Sequence, residues 1–173
     1  YPRFQDALSS KSSQAASIAQ FAAGGKAVAK KDLGQIVMSY GHVYVASICM
    51  GANRVQAIKA LKEAESYNGP SLIIAYCPCE LHGIKGGLSK QQIVQKQAVE
   101  CGYVALYRYD PRNAEKPLTI DFTKPDFEKF RDFLMDEARY NALLKVNPSQ
   151  AEELYEKAKA DAQKRFANLL KKL

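Results

Sequence analysis

Three side chains that commonly bind metals stand close together in the middle of the chain. Cys77, Cys79 and His82 lie in the run YCPCELHG, residues 76–83. The apolar run 71–75 comes directly before them and has the composition of a buried strand. Ligands of open α/β sheets gather at the carboxyl ends of such strands. The spacing therefore predicts a thiol-bearing loop at the edge of a sheet.

Zinc is one hypothesis for this loop, because Cys77, Cys79 and His82 could supply three ligands to it. The Cys-x-Cys-x-x-His spacing is not a common structural-zinc pattern, and the sequence has no second Cys/His cluster to complete the shell. An unligated thiol at Cys79 and an ordinary loop histidine at His82 form the alternative interpretation. Cys49 and Cys101 are expected to be small core residues, in a strand and at a helix end.

Other patterns in the sequence build no catalytic constellation. The glycine-rich run 83–87 lacks the Lys-Ser/Thr ending of a phosphate-binding P-loop, so we interpret it as a mobile loop. Carboxylates are scattered over predicted helices and turns without an acid/base pair; they are Asp32, Glu63, Glu65 and Asp110. No Ser/His/Asp or Cys/His nucleophilic arrangement is supported. The candidate chemistry is therefore confined to the loop after residue 75.

Hydrophobic periodicity predicts the elements that position this loop. Strands and helices are predicted to alternate as strand 43–48, helix 53–67, strand 71–76, helix 89–100 and strand 103–109. Earlier helices are expected at 14–23 and 31–39, a short edge strand at 118–122, and two final helices at 126–146 and 149–173. Such alternation indicates right-handed crossovers and a parallel sheet. The predicted fold is α/β, a parallel-sheet three-layer core followed by a carboxy-terminal helical hairpin.

The composition narrows the class of protein. A chain of 173 residues can bury one domain core. The net charge of +7 is scattered over amphipathic helices, so we expect a solvated surface and no binding of nucleic acid. No apolar run approaches the ~20 residues that cross a bilayer, and residues 1–6 show no signal-peptide pattern, so no membrane is expected as a partner. The spacing of the four cysteines favours a reducing, cytoplasmic compartment.

Many phrases of the sequence, taken together, resemble the carboxy-terminal end of the pyruvate:ferredoxin (flavodoxin) oxidoreductase chain. The similarity extends from about residue 9 to residue 173. It is carried by AQFAAGGK (19–26), KDLG (31–34), MSYGHVYVAS (38–47), MGAN (50–53), EAESY (63–67), GPSLIIAY (69–76) and LYRYDP (106–111). So many phrases in one order are far more specific than a single short motif.

The resemblance implies part of a thiamine diphosphate-binding fold. We expect an irregular leader at 1–11, a partial thiamine diphosphate-binding α/β domain at 12–122 and the helical hairpin at 123–173. The family's Asn-Thr-Gly-Gly-Gln phrase does not match residues 1–8, and its acidic Gly-Asp-Gly cation motif is absent from the sequence. Thiamine diphosphate and Mg²⁺ are therefore expected to bind in the parent enzyme and not to this chain alone.

The resemblance also implies a role for one cysteine. Cys79 matches the family cysteine that gives one thiolate to the 4Fe-4S cluster nearest the thiamine, while His82 and Gly83 shape the same loop. The other three ligands of that cluster are expected outside this chain. No residue of the chain is assigned a catalytic role.

The implied activity is the oxidative decarboxylation of pyruvate to acetyl-coenzyme A, with electrons passed to ferredoxin or flavodoxin. The expected partners are the rest of the oxidoreductase chain or a homodimer partner, in the cytoplasm or in a hydrogenosome-like organelle of an anaerobic protist. We expect this chain to be inactive by itself. The alternative hypothesis is a non-catalytic interaction module, or a truncated gene product, that docks on a partner subunit.

Overall fold

A mixed β-sheet organises one half of the molecule. The computed structural model describes residues 29–78 and 84–173. Four strands occur in that part of the chain: β1 (Tyr44–Ile48), β2 (Ser71–Ala75), β3 (Tyr107–Tyr109) and β4 (Leu118–Ile120), in the sheet order β2-β1-β3-β4. β1 pairs in parallel with β2 and antiparallel with β3, and β3 pairs antiparallel with β4.

The helices of the described residues are α1 (Leu33–Met38), α2 (Arg54–Ser66), α3 (Gln91–Glu100), α4 (Phe130–Asp136), α5 (Ala138–Val146) and α6 (Pro148–Leu170). Short 3-10 turns lie at Leu88–Lys90 and Phe127–Lys129. Asn53 caps α2 by accepting a hydrogen bond from the Gln56 backbone. The helix predicted at 14–23 lies outside the described residues. Among the helices that the structure describes, none combines the length and the apolarity needed to cross a membrane.

The α/β class predicted from the sequence is confirmed, and so is the parallel pairing of β1 and β2 through α2. The prediction that the third strand is also parallel is wrong, because β3 runs antiparallel to β1. The physical reason is the position of α3. This helix packs at the carboxyl end of β1, where Gln95 Oε1 accepts a hydrogen bond from the Gly51 backbone at 2.7 Å. The chain therefore enters the sheet again from the carboxyl edge.

Helices cover both faces of the sheet, as predicted for a three-layer core. Successive residues of β1 alternate between the two faces. Tyr44, Ala46 and Ile48 pack against Ala57 and Ala60 of α2. On the other face, Val45 lies in a cluster with residues of α1, β3, β4 and α6, namely Met38, Tyr107, Leu118 and Leu169. All five residues of β1 are buried, which makes it the central strand.

A second core lies between α3 and the three final helices. Its fully buried members include Ala98, Phe130, Leu134, Tyr140, Leu143, Ala151 and Tyr155. The first arm of the predicted hairpin is not one helix, because the backbone at Glu137 is extended and separates α4 from α5. The second arm forms as predicted, with Pro148 in its first turn, where a missing backbone N–H costs no helical hydrogen bond.

One buried ion network ties the sheet to α2. Arg108 of β3 is 8% exposed. Its guanidinium donates to Glu63 of α2 at 2.6 Å and to Asp121 at 2.8 Å. Tyr44 donates to Glu63 at 2.9 Å, and Gln56 donates to Asp121 at 3.1 Å. The two carboxylates therefore meet one cation and two neutral donors at the interface between sheet and helix.

Candidate functional site

The carboxyl ends of β1 and β2 form one edge of the sheet, and the chain leaves β2 there as Tyr76, Cys77 and Pro78. The Tyr76 backbone N–H donates to Ile48 at 3.0 Å, which extends the pairing of the two strands by one residue. Cys77 follows as an exposed residue, and Gln91 at the start of α3 donates from Nε2 to its sulfur at 2.8 Å. The predicted placement of a thiol at the carboxyl end of a strand is thus realised by Cys77.

Two cavities flank this strand end. One has a volume of about 390 Å³ and lies between α1, the strand ends, residues 103–107 and the last turns of α6. The other has a volume of about 460 Å³ and is lined by Arg54, Gln91, Gln92 and Gln95 among others. Ala75, Tyr76 and Cys77 line both cavities. The residues that leave β2 therefore form the wall between two spaces of the size of small-molecule sites.

Contacts with Glu137 hold both ends of the loop that follows β2. The Tyr76 hydroxyl donates to Glu137 Oε1 at 2.8 Å, and the Glu137 residue is only 2% exposed. The backbone of Glu137 forms an antiparallel bridge with Ile84, and the Lys85 N–H donates to Asp136 at 2.9 Å. The helical half of the molecule therefore binds the two ends of this loop at the break between α4 and α5.

Burial suppresses the ionisation of two of the cysteines. Cys49 follows β1 directly, and desolvation raises the pKa of its thiol to about 11. Cys101 follows α3, and desolvation raises the pKa of its thiol to about 12. Both residues are thus neutral at physiological pH, and their predicted role as small core residues is confirmed. Each thiol donates to a backbone carbonyl inside the core, Cys49 to Gln95 at 3.4 Å and Cys101 to Ala98 at 3.6 Å.

No protein-family model matches this chain. It is 53% identical over 161 residues to the pyruvate:ferredoxin oxidoreductase of Moorella thermoacetica, and 50% identical over 162 residues to the pyruvate-flavodoxin oxidoreductase of Klebsiella pneumoniae. These matches cover 91% and 92% of this chain but only 14% of each relative. A mitochondrial pyruvate dehydrogenase [NADP(+)] of Euglena gracilis is 44% identical over 148 residues, which are 84% of this chain and 8% of that relative.

This chain is homologous to a segment of the pyruvate:ferredoxin/flavodoxin oxidoreductases. The resemblance stated from the sequence phrases is thereby confirmed. The chain spans about one seventh of the length of the two oxidoreductases named above.

Several of the site residues predicted from the sequence fall outside the part of the chain that the structure describes. Cys79, His82 and Gly83 lie outside the described residues, so the iron–sulfur role of Cys79 and the zinc hypothesis both stay predictions. Within residues 29–78 and 84–173 no group of three or more His, Cys, Asp or Glu side chains could hold a metal ion. The described part of the run 83–87 forms a turn, in which the Gly87 N–H donates to Ile84 at 2.9 Å.

Sequence reasoning missed two charged residues that lie near the carboxyl ends of β1 and β2. Glu137 follows Phe133 and Leu134 by four and three residues, so it falls on the apolar face of its helical pattern. Arg165 similarly follows Ala158 and Ala162 at helical spacing, and it lines the cavity of about 390 Å³. A charge at an apolar position was the available signal in both cases.

Proposed function

We propose that this chain works as a segment of a pyruvate:ferredoxin or pyruvate-flavodoxin oxidoreductase, in which it completes the thiamine diphosphate-binding domain. The observation that carries the proposal is the 53% identity over 91% of the chain. The strand, loop and helix arrangement around Tyr76 and Cys77 supports it, because α/β sheets bind cofactors at the carboxyl ends of their strands. The proposed segment consists of a leader at 1–11, an α/β part at 12–122 and a helical hairpin at 123–173.

The cysteines of this chain fit a 4Fe-4S cluster whose ligands are shared with another part of the enzyme better than a cluster bound by this chain alone. Such a cluster takes four thiolates. Cys49 and Cys101 are set aside, because both thiols lie in the core and donate to the backbone carbonyls of Gln95 and Ala98. That leaves Cys77 and Cys79, and Cys79 is the proposed ligand because it matches the family cysteine. A bound cluster would supply one-electron transfer, and this chain would supply one thiolate on a loop whose two ends are tied to Glu137.

The remaining ligands, Mg²⁺ and thiamine diphosphate belong, in this proposal, to the other parts of the enzyme. The segment alone then does not oxidise pyruvate. Ferredoxin or flavodoxin is the proposed electron acceptor, following the names of the relatives. The rest of the oxidoreductase, or a homodimer partner, is the structural partner. We infer a reducing compartment, the cytoplasm or a hydrogenosome-like organelle, because the described cysteines are free thiols.

The test begins with the polypeptide that carries these residues in its native source. We expect mass spectrometry to find them in an oxidoreductase several times longer than 173 residues, or in complex with one. In that enzyme, Cys79→Ala should remove about four iron atoms per chain and abolish pyruvate-dependent reduction of ferredoxin. Cys49→Ala is the matched control, and its iron content should be unchanged.

Two results would contradict the proposal. The first is a Cys79→Ala enzyme with the iron content and the activity of the parent. The second is pyruvate-dependent electron transfer by the purified 173-residue chain without any other polypeptide. A native polypeptide of only this length that binds a partner without redox activity would favour the interaction-module alternative.

A further inference from the structure

One arginine in the described part of the chain has a buried N–H group without an acceptor. Arg165 lies in α6, and its Nη1 atom is buried with no hydrogen-bond partner among the residues that the structure describes. Arg108, by contrast, places its guanidinium between Glu63 and Asp121. A buried donor without an acceptor costs about 1–3 kcal/mol, and more when the group is charged. The position of Arg165 therefore calls for a further acceptor.

The cavity beside Arg165 has the chemistry of an anion site. Its volume is about 390 Å³, and Arg165, Lys31, Ser47 and Tyr107 contribute polar groups to its lining. Apolar walls come from Leu33, Ile74, Ala105 and Leu169. Such a mixture of apolar walls and a few polar groups is typical of small-ligand sites. Among the described lining residues, Lys31 and Arg165 supply cationic groups and Asp32 supplies a carboxylate.

The carboxylates near Arg165 do not satisfy it. Asp32 accepts hydrogen bonds from the backbone and the side chain of Gln35 at 3.1 Å and 2.9 Å. Asp161 lies one helical turn before Arg165, yet its Oδ2 atom is itself buried without a hydrogen-bond partner. Desolvation lowers the pKa of Arg165 despite the attraction of both carboxylates, which agrees with an under-compensated cation.

We propose that this cavity binds an oxyanion, a carboxylate or phosphate group, on the guanidinium of Arg165. The planar guanidinium matches the two oxygens of such a group in a bidentate geometry. The cationic groups of Lys31 and Arg165 at the cavity disfavour a cation as the occupant. The oxyanion has two possible sources, a free small molecule or a carboxylate side chain elsewhere in the polypeptide. The proposal does not depend on the proposed role of Cys79.

The experiment uses the complete 173-residue chain. Thermal unfolding is followed by circular dichroism in phosphate and in acetate, each against chloride at the same ionic strength. A free oxyanion should raise the midpoint by about 5 °C or more once its concentration reaches about 100 times its Kd. The rise should be lost in Arg165→Gln and kept in Lys164→Gln, an exposed neighbour on the same helix. A shift of the Arg165 Nε–H resonance in the NMR spectrum of the wild-type chain, on addition of the same anions, tests binding without a variant.

A carboxylate side chain as the occupant gives a different pattern. The wild-type chain then shows no response to added anions, and it is more stable than Arg165→Gln. That difference should shrink as the pH falls through about 4, the range in which carboxylates take up protons. Measuring both chains in an Asp161→Asn background removes the contribution of the neighbouring carboxylate. The groups that also titrate near the cavity, Asp32, Lys30 and Lys31, are the same in every chain compared.

Two results would overturn the proposal. One is a wild-type chain that does not respond to oxyanions and is no more stable than Arg165→Gln. The other is a stability difference that disappears in the Asp161→Asn background, which would mean that Arg165 pairs with Asp161 in solution. In either case the cavity holds no oxyanion.

Discussion

The ion network around Arg108 offers a sharp test of how the sheet is held to α2. Replacing Arg108 by Met keeps an unbranched apolar stem but removes the guanidinium and its charge. Glu63 and Asp121 then lose the donors that now lie at 2.6 Å and 2.8 Å. Both carboxylates are largely buried, with 23% and 13% of their side chains exposed, so water replaces the lost donors only in part.

The expected loss follows from the cost of leaving a buried charge unpaired. Removing one partner of a buried ion pair typically costs about 3–5 kcal/mol. For a chain of this size, each kcal/mol lowers the melting temperature by roughly 2–4 °C. We therefore expect Arg108→Met to melt about 6–20 °C below the parent chain. A loss of that size is a large fraction of the total stability of a typical domain.

Two further variants show whether charge is the cause. Arg112→Met removes an exposed ion pair with Asp110, and its melting temperature should stay close to that of the parent chain. The triple variant Arg108→Met, Glu63→Gln, Asp121→Asn leaves no unpaired charge, so it should regain part of the loss. Thermal unfolding followed by circular dichroism measures all of them. If Arg108→Met is as stable as Arg112→Met, the network does not hold the sheet to α2.

Three other perturbations test separate features. Tyr76→Phe removes one hydrogen-bond donor from the buried Glu137 carboxylate, so the free energy of unfolding should fall by about 1–3 kcal/mol. An unchanged urea midpoint would mean that this hydrogen bond does not stabilise the loop. Gly102→Ala should lower the free energy of unfolding more than Gly41→Ala. Both glycines have a positive φ, but only at Gly102 would the added carbon meet a side chain, that of Phe127 at 2.4 Å. Equal losses of stability would contradict the packing at Gly102. Burial raises the pKa of the Cys49 and Cys101 thiols from the ordinary 9.0 to about 11 and about 12, so the free energy of unfolding should fall as the pH rises from about 9 through these values. The fall should be weaker in the Cys49→Ala/Cys101→Ala variant. An equal fall in both chains would refute this cause.

The parts of the fold that were predictable depend on local pattern. The run VYVASI and the run SLIIA contain β-branched and apolar residues on both faces, which is why β1 and β2 could be located and paired in parallel. The helix between them has a clear inner face and an Asn53 cap. Cys49 and Cys101 could be assigned to the core because each sits at the end of an apolar element.

The direction of β3 and the break at Glu137 could not be predicted, because both depend on tertiary contacts. α3 is an ordinary helix in sequence, and only its packing at the carboxyl end of β1 reverses the next strand. Glu137 stands in a run with good helical spacing, but the Asp136 carbonyl accepts from the Lys85 backbone and the Glu137 carboxylate accepts from Tyr76, and the local pattern reveals neither contact. Cys79 was found through its resemblance to a family motif, whereas Arg165 needed the cavity to become visible.

Helix α6 also governs how the chain can fold. Its earlier turns supply Ala151 and Tyr155 to the helical core, and its last turns deliver Leu169 to the cluster around Val45 in the central strand. Contacts between α6 and β1, which are far apart in sequence, must therefore form before this face of the sheet is buried. Such non-local contacts slow folding. Until α6 docks, the apolar side of the sheet is open to other molecules, so we expect refolding yield to fall steeply with protein concentration.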